Sequence, residues 1–186
     1  PRPWPLLLLA LLPGCVAAVS AGAADLSRTA KPPAKMAALA VASIDAAAHP
    51  NLQAAIDALL AGGGTVRIPP GTYEISTPLI LGTGDVLFEG AGAATHIINR
   101  NADRQPALLI RHADHPKNPR NSKARLWRVT LANFRVSGTK DSGDGIRAEG
   151  VDEIYVHGVA VDHHGGNGIV LRDCYEDPRL VANLIT

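Results

Sequence analysis

Cysteine is nearly missing from this chain, which has only Cys15 and Cys174. Cys15 sits in an apolar leader, so no disulfide framework can hold the domain, and Cys174 reads as a packed structural thiol. Aromatic residues are only 4% of the sequence, which argues against a bulky core and for thin strands stacked through Val, Ile and Leu. Charge of one sign is lacking too: 18 Lys and Arg stand against 17 Asp and Glu, so the basic excess of a dedicated nucleic-acid binder is missing. The apolar run from Leu6 to Leu12 is too short for a membrane span.

What is present begins with that run. PRPWPLLLLALLPGCVAAVSAGAAD puts Arg2 ahead of it and small residues after it, with small-x-small sites ending at Ala21 and Ala23. Residues 1–24 therefore read as a signal peptide, and the protein as secreted or periplasmic. Leu12-Pro13-Gly14-Cys15 also resembles a bacterial lipobox, which would lipidate Cys15 and anchor the protein to a membrane. Residues 25–50, rich in Ala, Lys and Pro, read as a linker. The domain proper is expected over 51–186.

Three segments of that domain repeat: VTLANFRV (129–136), IYVHGVAV (154–161) and RLVANLIT (179–186). Leu131, Val156 and Val181 stand 25 residues apart, as do Phe134, Val159 and Leu184, and the corner positions Asn133, Gly158 and Asn183. Each segment reads as a short strand, a tight corner and another short strand. The corner needs left-handed backbone, which Gly enters freely and Asn tolerates. DGIRAE from Asp144 and NGIVLR from Asn167 supply a matching first strand with Ile146, Ala148, Ile169 and Leu171 inward. Three short strands per coil of about 25 residues, stacked about 4.8 Å apart, make an all-β fold of the parallel β-helix type. The chain is expected to stop before that solenoid is finished, and to expose an open edge there.

Ahead of the repeats, NLQAAIDALL (51–60) places Leu52, Ala55, Ile56, Leu59 and Leu60 on one helical stripe, and AGGG ends it. Such a helix can cap the first coil, with Leu52, Ile56 and Leu59 over the rung. The following GGGTVRIPPGTYEI and DVLFEGAG alternate apolar and polar residues around Pro-Pro-Gly and Gly-rich bends. A capping helix, then GGGTVxxPPGTY, then VxFxGxG resembles the start of pectate-lyase-like domains grouped with rhamnogalacturonases and epimerases. The resemblance covers roughly residues 51–186 and implies a right-handed β-helix acting on polysaccharides. It departs at His49-Pro50-Asn51, where those families often carry Asp-Asp-Thr.

GAGAAT (90–95) is set aside as a nucleotide loop, because His96-Ile97-Ile98-Asn99 alternates like a strand and offers no helix N-terminus. His157, His163, His164, Asp162 and Asp173 are a weak zinc set, since adjacent histidines in an extended turn point apart. The resemblance leaves calcium on loop carboxylates open as a cofactor. The better grouping is outward. With Ile146 and Ala148 inward, Arg147 and Glu149 face out, and Arg111, Glu149 and Arg172 fall in one column. Solvated surface residues would look the same. As a site, Arg111, Arg147 and Arg172 would bind the carboxylates of a uronic polysaccharide, while Asp144, Asp162, His163 and His164 would move protons. A hydrolase would need two carboxyls about one glycosidic bond, a lyase a base and cations. The alternative is a non-catalytic, adhesin-like glycan binder.

Overall fold

A computed structural model describes residues 42–186 of the protein. The leader, its lipobox and most of the expected linker lie outside the described residues. Short strands and tight corners make up nearly all of the structure. They are β1 (Ala42–Asp45), β2 (Gly64–Arg67), β3 (Gly71–Ile75), β4 (Leu79–Leu81), β5 (Val86–Glu89) and β6 (Thr95–Asn99). There follow β7 (Leu108–Arg111), β8 (Leu126–Trp127), β9 (Val129–Ala132), β10 (Arg135–Ser137), β11 (Ile146–Glu149) and β12 (Val151–Asp152). Last come β13 (Tyr155–His157), β14 (Ala160–Asp162), β15 (Ile169–Arg172), β16 (Arg179–Val181) and β17 (Leu184–Ile185).

Successive strands go to different sheets, and each pairs with its counterparts earlier and later in the chain. One sheet runs β1-β2-β5-β9-β13-β16, a second β3-β6-β10-β14-β17, a third β4-β7-β11-β15, and β8 pairs with β12. Among the described residues every strand pairing is parallel; the one antiparallel contact is an isolated bridge from Leu60 to Gly63. The fold is all-β, built of parallel sheets with almost no helix.

Register explains the core. Val66, Phe88, Leu131 and Val156 lie opposite one another across the first sheet and are almost fully buried. Ile97, Val136 and Val161 do the same in the second sheet, and Ile110 and Ala148 in the third. Strand alternation puts one of every two side chains into this interior, and each buried aliphatic contributes roughly 1.5–3 kcal/mol. Phe88 and Phe134 meet edge to face, 5.5 Å apart at 87°.

The third repeat is one residue shorter than the sequence period suggests. Val156 pairs with Leu180, not Val181, and Val161 with Ile185. A one-residue change of register turns every side chain over. Val181 and Leu184, expected inside, align with His157 and Ala160 and are 47% and 65% exposed. The corner moves as well. Asn133 and Gly158 have φ of 56° and 63° as expected, but in the third repeat Ala182 takes the left-handed position with φ 53°. Asn183 instead braces the rung before it: its Oδ1 accepts from Val159 N at 3.0 Å and its Nδ2 donates to Val156 O at 2.9 Å.

The capping helix α1 spans Leu52–Asp57, shorter than its stripe. Asn51 caps it by accepting from Ala54 N at 2.9 Å. Leu52, Ala55 and Ile56 are buried, Leu59 packs against the core, and Leu60 is exposed and off the stripe. Gln53 does the edge work: Nε2 donates to Ile80 O at 3.1 Å and Oε1 accepts from Ile80 N at 2.8 Å. An edge strand's open backbone groups are thereby satisfied by a side chain. Residues 42–50, expected as linker, contribute β1, paired with β2, and a short 3-10 turn.

Candidate functional site

The third sheet carries the arginines. β7, β11 and β15 pair so that Arg111, Glu149 and Arg172 lie opposite one another, as the alternation predicts. Arg147 stands two residues earlier, opposite Leu109 and Val170. Glu149 is buried at 8% exposure and is the point on which the arginines converge. Arg111 Nη1 donates to its Oε2 at 2.8 Å, while Arg172 Nη1 and Arg147 Nη1 lie 3.8 and 4.0 Å from its Oε1. Arg172 is the freest of the three, with 62% of its side chain exposed. Three guanidinium groups thus share two carboxylates, Glu149 and Asp144, and the face keeps a cationic surplus.

Asp144 is the second of those carboxylates and is buried. Arg147 Nε donates to its Oδ2 at 2.7 Å, and the backbone N and amide of Asn167 donate to its Oδ1 at 2.8 and 3.1 Å. Burial opposes ionisation, but the Asn167 donors and Arg147 outweigh it and hold the carboxyl below its usual range. Asp144 therefore ties the loop before β11 to the loop before β15.

Asp162 ends β14 on the neighbouring sheet. Arg135 clamps it, Nε at 2.8 Å and Nη2 at 3.3 Å, and His163 Nδ1 lies 2.6 Å from its Oδ1. Burial again opposes ionisation; Arg135, His163 and Ser137 overcome it and keep the carboxyl far below the ordinary value. His163 points into solvent from a left-handed backbone at φ 57°, with 78% of its side chain exposed. His164 turns the other way, as expected for neighbours in an extended turn. It packs against Gly138 and Gly145, where a Cβ would meet its ring at 2.4 and 3.2 Å. Its Nδ1 is 3.4 Å from Ser142 Oγ, and its buried Nε2 has no partner. Burial lowers its pKa against the pull of Asp162 and Asp144.

The sequence pattern therefore brings together Arg111, Arg147 and Arg172 on one sheet, and Asp162 with His163 at the next corner. It did not assign roles to Glu149, Asn167 or Arg135, nor to His96, whose Nε2 lies 2.7 Å from Ser137 Oγ. Arg135 and His96 each occupy the outward place in an alternating strand, a signal open to any surface residue. Among the described residues no group of three or more His, Cys, Asp or Glu side chains is arranged to hold a metal. Asp144 and Asp162, engaged by guanidinium groups, do not fit the calcium role left open for loop carboxylates.

No protein-family model matches the chain, and no curated protein matches it. Among solved structures it is similar to one described as Geobacillus virus E2 - ORF18, with TM-score 0.59 and 16% identity. The likeness is one of fold. It covers 68% of this chain and only 27% of that one, so this chain spans a small part of the other's length.

Proposed function

We propose that this is an exported right-handed parallel β-helix, three short strands to a coil, that binds an acidic polysaccharide on the outer face of β7, β11 and β15. The observation that carries the reading is the convergence of Arg111, Arg147 and Arg172 around Glu149. Guanidinium groups keep their charge and match carboxylate geometry, and an arginine surplus on an extended sheet suits a ligand with regularly spaced carboxylates. The parallel pairing from turn to turn and the pectate-lyase-like motifs support the architecture, and parallel crossovers are right-handed in nearly all cases. The leader sequence supports export.

Of the two chemistries, β-elimination fits better than hydrolysis. A hydrolase needs one carboxyl kept protonated beside the bond, whereas Asp144 and Asp162 are both held ionised. A lyase needs a base for the proton beside the uronic carboxylate and cations for the charge that develops. His163, held by Asp162 and open to solvent, is the candidate base, and the arginines are the cations. The non-catalytic reading has its own support, since the carboxylates near the arginines are saturated by internal partners. Incubation with polygalacturonate separates these outcomes. Ultraviolet absorbance from unsaturated uronides marks a lyase, and new reducing ends without it mark a hydrolase. Binding with neither leaves a glycan binder, and no binding refutes the reading.

A further inference from the structure

Aromatic side chains are few, so the ones outside the core stand out. Phe88 and Phe134 fill the interior, but Trp127 is half-buried and Tyr175 is 59% exposed. Both lie on the corner that follows the arginine-bearing strands. β8 pairs with β12, which puts Trp127 opposite Asp152. Tyr175 comes next: its N donates to Asp152 Oδ1 at 3.1 Å, and its carbonyl accepts from Glu153 N at 3.3 Å. Trp127, Asp152 and Tyr175 thus form a column beside that of Arg111, Glu149 and Arg172. Two strand spacings of about 4.8 Å separate their backbone positions along it by about 10 Å.

Arg125 fixes the middle of this column. Its Nε donates to Asp152 Oδ2 at 2.6 Å and its Nη2 to Asp173 O at 2.7 Å. Its guanidinium lies 5.0 Å from the centre of the Tyr175 ring, a cation–π contact that holds the phenol in place. Beside Trp127 opens a cleft of about 380 Å³, lined also by His112, Lys123 and Arg128. Asp85 is the one carboxylate in that lining, and Arg128 Nε engages it at 2.5 Å. His112 directly follows Arg111 in the chain, so the cleft begins where the arginine column ends.

We infer that Trp127 and Tyr175 are ring-stacking subsites for the same acidic polysaccharide, a step that rests on the function proposed above. A pyranose presents a flat C–H face that packs on an aromatic ring and buries apolar surface there. The arginine column next to it takes the carboxylates. The cationic cleft at Trp127 extends the groove past Arg111 and favours a chain that is acidic along its length. Arg125, held by Asp152, fixes the Tyr175 ring at its end of the column.

The test uses the full chain carrying Trp4→Phe, which leaves Trp127 as the sole tryptophan. Polygalacturonate and a neutral β-glucan are titrated in parallel. Polygalacturonate is expected to shift Trp127 emission, and Trp127→Ala and Tyr175→Ala each to weaken its binding by roughly three- to tenfold. Thermal unfolding of each variant is measured alongside. If Trp127→Ala unfolds early, the ring-keeping variants Trp127→Phe and Tyr175→Phe decide: retained binding supports stacking, and loss equal to alanine overturns it. Unchanged binding in both alanine variants, with binding still lost on replacing Arg111 and Arg172, overturns stacking and leaves the acidic-glycan reading standing. An emission response to β-glucan alone overturns the acidic reading but keeps the rings as a site. No response to either polymer overturns both.

Discussion

Glu149 is a carboxylate whose removal should have two opposite effects. With Arg111 at 2.8 Å and two further guanidinium groups within 4.0 Å, it offsets the mutual repulsion of the arginines. Glu149→Gln is expected to destabilise the fold by about 1–2 kcal/mol, less than a fully buried pair because the arginines remain partly solvated. The same change releases Arg111 and Arg172 while Arg147 stays on Asp144, so binding of polygalacturonate should tighten and become more sensitive to salt. Denaturant titration and binding at two ionic strengths check both signs. His164 and Asp162 make stability depend on pH in separate windows. The folded pKa of His164 is lowered, so the unfolded chain takes up a proton first. Its contribution is present above about pH 6.5 and is lost as pH falls toward the folded value. The folded pKa of Asp162 is also lowered, so its contribution is present above about pH 4 and is lost on further acidification. His164→Asn should flatten the stability profile just below about pH 6.5, and Asp162→Asn only below about pH 4. A His164→Asn profile that matches the parent would show that this half-buried imidazole is not its source.

At the scale of elements, the corners decide how strands stack. Gly158 has φ 63°, and a Cβ there would meet Asn133 Oδ1 at 2.6 Å. Gly158→Ala is expected to cost about 1–2 kcal/mol. At the equivalent place one turn later Ala182 already sits at φ 53°, so Ala182→Gly should stabilise by up to about 1 kcal/mol. Opposite signs at two aligned corners, read by thermal unfolding, would establish the shortened register of the third repeat. If the 25-residue alignment held, Asn183 would be the corner, and Asn183→Gly would be the stabilising change. This is where sequence reading failed and why. A period is read from side-chain type, and Leu180, Val181, Leu184 and Ile185 are all apolar. Backbone pairing alone tells which of them face inward.

For the whole molecule, β15, β16 and β17 stand at one end of their sheets. Leu180, Val181, Leu184 and Ile185 are each roughly half exposed or more there. Edges with open backbone groups and apolar side chains recruit other strands. The 186-residue chain is therefore expected to associate as concentration rises, as followed by sedimentation velocity. Leu180→Lys together with Ile185→Lys should lower that tendency, because charge on an edge opposes pairing. Persistent association of the double variant would place the contact elsewhere.

The sequence by itself determined the local rules: short strands, an interior of Val, Ile and Leu, a helix begun at Asn51, and left-handed corners at Asn133 and Gly158. These follow from periodicity and from what single residues can do with their backbone, so they are legible without a partner in view. It also determined that Arg111, Glu149 and Arg172 share a column, because in-register parallel strands carry alternation from one turn to the next. Only the tertiary structure decided what meets across turns. It joined Asp144 to Asn167, 23 residues on, and clamped Asp162 with Arg135, 27 residues back. It sent His163 out and His164 in, and set Trp127, Asp152 and Tyr175 in line. Those pairings depend on the length of each loop between strands, and a loop's length acquires meaning only once the strands on either side have found their neighbours.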